Sequence, residues 1–222
     1  MQSLARRVIG RCLHRLGVRR PAPAPLAYWT ERARAHGPRS VLNLGHAESE
    51  YEAVTMAQKR ELFPHLARCL TGQERVALDF GCGPGRFTAD LADRIKGRAI
   101  GVDVVLAYLD MAAPHERVEY RPMDPGRIDL ADGSVDLVWV CLVLGALREP
   151  VLSRSAAEIA RVLRTGGLLF VVENTSEQPD APHWTFRPVA EYQRLFPWAA
   201  LRHIHDYRDL GERISVLAGR KS

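Results

Sequence analysis

The chemistry in this chain concentrates in a short stretch, Val76-Ala77-Leu78-Asp79-Phe80-Gly81-Cys82-Gly83-Pro84-Gly85-Arg86-Phe87-Thr88. An apolar run enters a glycine-rich turn and leaves it as a helix. Glycines at such a junction let the backbone approach a ligand closely and adopt positive φ. A dinucleotide fingerprint would need a third glycine at position 86, which is Arg86, and a phosphate-binding P-loop would need G-K-[ST], which does not follow. Asp79 lies two residues before the first glycine. Its charge would repel a pyrophosphate and attract a ligand that carries an ammonium and a sulfonium. That combination favours S-adenosyl-L-methionine.

Two further acids stand where such a ligand needs them. Ala99-Ile100-Gly101-Val102-Asp103 is an apolar run ending in a carboxylate, placed to accept from both ribose hydroxyls. Val118-Glu119-Tyr120-Arg121-Pro122-Met123-Asp124 ends in a third, placed to accept from the adenine amino group. A lone aspartate at a strand end usually caps a loop, but three on successive strand ends beside a glycine turn make a site.

These segments resemble the class I S-adenosylmethionine-dependent methyltransferases, in the small-molecule (type 11-like) subgroup. Ile128–Val138 is similar to that subgroup's approach to its fourth strand. Glu158–Leu169 is similar to its helix, turn and fifth strand, with Thr165 where proline is common. The similarity covers about residues 74–175. It implies that Asp79, Gly81, Cys82, Gly83 and Gly85 surround the methionine portion of the cofactor. It places Asp103 and Val104 at the ribose, Asp124 at the adenine, and Cys141 and Leu142 along the cofactor after the fourth strand. Many relatives carry histidines just after that strand; Gly145 and Ala146 stand there in this chain.

The elements that position these residues alternate. Strands are expected near 75–80, 98–103, 117–123, 135–141 and 167–173, with helices near 86–95, 105–112 and 153–164 between most of them. This alternation predicts an α/β fold with a doubly wound, Rossmann-like, seven-stranded and mostly parallel sheet. Ala200–His205 and Arg213–Leu217 predict a closing antiparallel hairpin. Residues 26–73 read as a helical lid segment before the cofactor-binding domain of 74–222, with Pro64 splitting its last helix. Residues 1–25 are an extension: Leu4, Val8, Cys12 and Leu16 recur every four residues, as do Arg7, Arg11, Arg15 and Arg19. This is an amphipathic helix with an arginine face, followed by the stiff spacer Pro21–Pro25. Packing on the domain, adhesion of residues 1–20 to an anionic membrane and an organelle presequence all suit it.

Charge narrows the partners. The chain carries +5 overall, yet residues 1–40 hold nine arginines against Glu31 alone, so the remaining body is mildly acidic. An acidic body lacks the basic track that a nucleic-acid substrate wants, and there is no Pro-Pro dipeptide of the kind used by enzymes that methylate DNA amino groups. The four cysteines are scattered, as in a reducing cytoplasm, and no metal-ligand spacing appears along the chain. A small-molecule acceptor follows, such as a sugar, lipid, quinone or polyketide, with oxygen favoured over nitrogen. A protein or RNA acceptor, a non-catalytic nucleotide-binding module and a nicotinamide oxidoreductase are the competing readings. With no histidine after the fourth strand, His46 in the lid segment is the candidate base, ahead of His65, His183, His203 and His205. Tyr28 and Tyr51 are candidate acceptor contacts.

Overall fold

The computed structural model describes residues 25–222. The expected basic helix and most of the proline spacer lie outside them. The chain opens with helix α1 (Pro25–His36), passes through short 3-10 turns, and enters α2 (Tyr51–Cys69). Strand β1 (Val76–Phe80), helix α3 (Thr88–Arg94), β2 (Arg98–Asp103), the single turn α4 (Leu106–Leu109), β3 (Val118–Pro122) and β4 (Val135–Cys141) follow. Helix α5 (Val151–Val162), β5 (Leu163–Asn174), α6 (Val189–Leu195), β6 (Arg202–Asp209) and β7 (Glu212–Arg220) complete it.

The seven strands form one sheet in the order β3-β2-β1-β4-β5-β7-β6. Strands β1 to β5 run parallel, and β7 pairs antiparallel with both β5 and β6. The α/β, mostly parallel seven-stranded expectation and its antiparallel closing hairpin are therefore met. Central strands with helices on both faces must be apolar throughout, and β4 (VDLVWVC) buries five of its residues. Of the two others, Asp136 accepts from the Arg75 and Val76 amides at 2.8 Å and from Arg164 Nε at 2.5 Å, which ties the β1 entrance to β4.

Two cores flank the sheet. Leu152, Ala156, Ile159 and Val162 recur at helical spacing on α5 and pack with Tyr192 and Phe196 against Leu78, Val138, Val140 and Val171. On the other face Leu62, Phe63 and Leu66 of α2 meet Phe87, Leu91, Trp139 and Phe170.

The structure corrects several boundaries. Helix α2 runs unbroken through Pro64. Both Pro64 and Arg60 are exposed, so the carbonyl that loses its donor lies on the solvent side. The helix expected over 105–112 shrinks to one turn. Strand β6 extends to Asp209, with only Leu210 and Gly211 between the hairpin strands. It is an edge strand, so its outward residues are polar and hide it from a hydrophobic reading. Among the described residues no helix is long and apolar enough to cross a membrane.

Candidate active site

Because β1 to β4 are parallel, their C-terminal ends share one edge of the sheet, where ligands of such folds bind. After β1 the chain must reverse within a few residues. Gly81, Gly83 and Gly85 all adopt positive φ, between 54° and 78°. The turn is pinned to β2: the Gly81 and Cys82 amides donate to the Val102 carbonyl at 2.9 and 3.0 Å, and the Gly83 amide donates to Asp103 Oδ2 at 2.9 Å. Room is also at a premium. A Cβ on Gly81 would stand 2.6 Å from Val143, one on Gly83 would stand 3.0 Å from Val41, and one on Gly85 would strike the Tyr120 hydroxyl.

Asp79 and Asp103 are buried, at 2% and 7% exposure. Asp79 accepts from the Thr88 hydroxyl at 2.7 Å. Asp103 Oδ1 accepts from the Val105 amide at 2.8 Å, so both of its oxygens already hold the backbone. Neither forms an ion pair with an arginine or lysine among the described residues. Burial, reinforced by the charge of Asp103, pushes Asp79 up to about 7, and burial also raises Asp103. Without a cationic ligand, burial thus opposes the negative charge expected of Asp79. Asp124 is exposed and lines a groove of about 470 Å³ with Leu26, Val104, Leu106, Pro122 and Met123. Burial drives the Cys141 and Cys82 thiols upward, so neither is a nucleophile at neutral pH.

The segment before β1 reaches this edge, where Val41 stands over Gly83. Arg32 donates to the Ser40 and Leu42 carbonyls at 2.6 and 2.8 Å and to the Tyr28 hydroxyl at 3.1 Å. Tyr28 stacks on His183 with ring centroids 3.7 Å apart, which occupies that face of Tyr28. His46 Nε2 lies 2.6 Å from Asp209 Oδ1 at the tip of the β6–β7 hairpin. Tyr51 is half-buried; burial raises its hydroxyl and the Arg86 guanidinium partly offsets this. The other histidines go elsewhere: His203 pairs with Asp206, and His65 and His205 meet on the flank of α2.

Residues 78–171 match the family model of the methyltransferase domain. N-demethylindolmycin N-methyltransferase of Streptomyces griseus is 30% identical over 129 residues, 54% of this chain and 52% of that protein. Human thiol S-methyltransferase TMT1B is 30% identical over 165 residues, 68% of this chain and 61% of that protein. The fold also superposes on geranyl diphosphate C-methyltransferase from Streptomyces coelicolor, with a TM-score of 0.61 and 17% identity over 91% of this chain and 100% of that one. Residues 78–171 form a methyltransferase domain. The chain spans between 29% and 52% of the length of three of the curated relatives it matches.

In this methyltransferase domain the structure also shows contacts that the sequence does not announce. Arg86 is buried, donating to Thr55 Oγ1 at 3.1 Å and to Gln58 Oε1, both on α2. It marks where the dinucleotide fingerprint fails and clamps the lid helix to the turn. Glu173, at the end of β5, is fully buried and accepts from the Val143 and Leu144 amides at 2.8 and 2.6 Å. It fixes the loop after β4. Gly145, in the turn after β4, is covered by the Trp184 indole, which a Cβ there would strike. No apolar or motif pattern announces Trp184; only the glycine opposite it is visible.

Proposed function

We propose that this chain is a methyltransferase that binds S-adenosyl-L-methionine and acts on a small molecule. The observation that carries this is the pair Asp79 and Asp103, buried beside a three-glycine turn with no arginine or lysine paired to either among the described residues. A cationic ligand relieves that arrangement, and a pyrophosphate aggravates it. The residues present fit the cofactor on these grounds. Asp79 and the turn of Gly81, Cys82, Gly83 and Gly85 would hold its methionine portion. Asp103 and Val104 would hold the ribose, Asp124 the adenine, and Cys141 and Leu142 would line the cofactor after β4. When bound, the cofactor supplies an electrophilic methyl group carried on sulfur.

The chain's own task is to orient the acceptor, exclude water and take up a proton. His46 suits the last of these. Asp209 bonds one ring nitrogen and orients the imidazole, which favours a hydroxyl acceptor over an amine, since an amine can lose its proton to water. Tyr51, near Arg86, suits acceptor binding; Tyr28, stacked on His183, suits the lid. The named relatives act on nitrogen, sulfur and carbon acceptors, so the acceptor atom follows from these local groups rather than from the domain. A sugar, lipid, quinone or polyketide hydroxyl fits, and the mildly acidic body argues against nucleic acid.

Calorimetry with S-adenosylhomocysteine and with NAD(H) tests the reading. Binding of the first alone is expected, and Asp103→Ala should weaken it by about 2 to 3 kcal/mol through lost charge-assisted hydrogen bonds. Binding of NAD(H), or of neither, overturns it. Transfer of labelled methyl from S-adenosylmethionine into a small-molecule extract then separates an enzyme from a non-catalytic binding module.

A further inference from the structure

Spacing along the chain gives no metal-ligand set, yet folding assembles one away from the proposed cofactor site. Glu61 and His65 stand one helical turn apart on α2, so they project from the same face. That face packs beside β6, from which His205 points back. His205 Nε2 lies 2.6 Å from Glu61 Oε1, and the His65 and His205 rings stack with centroids 4.2 Å apart. One donor atom from each of the three residues lies within 4.8 Å of the other two.

We propose that Glu61, His65 and His205 bind a zinc-like divalent cation that fastens helix α2 to edge strand β6. Two imidazoles and one carboxylate are a donor set that zinc accepts with a fourth position left to water. An ion pair between His205 and Glu61 would need no second imidazole, and His65 supplies it. Tetrahedral bonds of about 2.0 to 2.1 Å set the donor atoms about 3.3 Å apart, so His205 and Glu61, now at 2.6 Å, would part slightly to admit the cation. Their side chains have the freedom to adjust: Glu61 is 41% exposed and His205 29%. Arg68, three residues beyond His65, opposes a cation, but it is exposed and its charge is screened by solvent.

The site lies outside the reaction centre. From Tyr51 to His65 the helix advances about 21 Å, so the cation would act as a fastener between the lid helix and the hairpin that carries Asp209. It is independent of the methyltransferase reading.

The test uses the full chain without a histidine tag, stripped by chelator and titrated with cobalt(II) while visible absorption is recorded. One saturating equivalent, displaced by zinc, is expected, together with a zinc-dependent rise in Tm. His65→Ala and His205→Ala should each weaken binding at least about tenfold, or 1.4 kcal/mol. His203→Ala, two residues from His205 on the same strand, should not. Glu61→Gln and His65→Gln, which keep side-chain volume, serve if an alanine variant fails to fold. No stoichiometric binding, or equal binding in wild type and the His65 and His205 variants, overturns the proposal.

Discussion

His46 and Asp209 are separated by 163 residues in sequence and meet at 2.6 Å, the first in the lid segment and the second at the tip of the β6–β7 hairpin. Glu50 Oε2 stands 3.7 Å from the other ring nitrogen. Asp209 thus orients the imidazole, while Glu50 stands too far from the other nitrogen to hydrogen-bond it. If His46 takes the acceptor proton, His46→Ala should lower methyl transfer to a hydroxyl by about 10²- to 10⁴-fold. Asp209→Asn should give a smaller loss, because it misorients the ring without removing it. Cofactor affinity should stay unchanged in both. Label transfer at saturating donor measures the first effect and calorimetry the second; full turnover in His46→Ala would remove the residue from the mechanism.

Asp79 makes stability and binding respond to pH in opposite directions. Its folded value near 7 stands above the usual 3.8, so its contribution to stability is complete below about 4 and is lost as pH rises through 7. Glu173, also pushed up to about 7 by burial, acts in the same sense. The ligand-free protein should therefore melt lower at pH 8 than at pH 5.5. A cationic cofactor needs ionised Asp79, so its affinity should rise over the same interval. Asp79→Asn should flatten the melting trend, raise Tm at pH 8 and weaken cofactor binding. A variant that melts lower than wild type at pH 8 would contradict this.

Gly145 is predicted to tolerate no side chain without adjustment. A Cβ there would collide with the Trp184 indole, and overpacking of this kind costs about 1 to 3 kcal/mol. Gly145→Ala should lower the denaturant midpoint accordingly, and the loss should shrink in the Trp184→Ala background. Additive losses in the double variant would show that the two do not compete for space.

Much of the fold is legible because its strands are buried on both faces and read as unbroken apolar runs, as in Val76–Phe80 and Val135–Cys141. The glycine turn is legible because positive φ and close approach demand a residue type. Polar elements are not. Strand β6 carries Asp206, Arg208 and Asp209 at a sheet edge, where no core enforces alternation. Arg86, Glu173 and Asp209 act through partners 28 or more residues away, and no local periodicity encodes such distances. The same reason hides the cluster of Glu61, His65 and His205. The electrostatic state of Asp79 also escaped, since a charge read from sequence says nothing of the burial that titrates it.

The strap between α1 and α2 joins two events that chemistry alone would leave separate. Val41 rests over Gly83, and five residues later the same strap carries His46. A donor molecule bound against the glycine turn would lie beside Val41, and a short covalent segment would link that contact to the imidazole. Steady-state kinetics should accordingly be sequential with a compulsory order, donor before acceptor and the demethylated product released last. S-adenosylhomocysteine should then inhibit competitively against the donor and non-competitively against the acceptor.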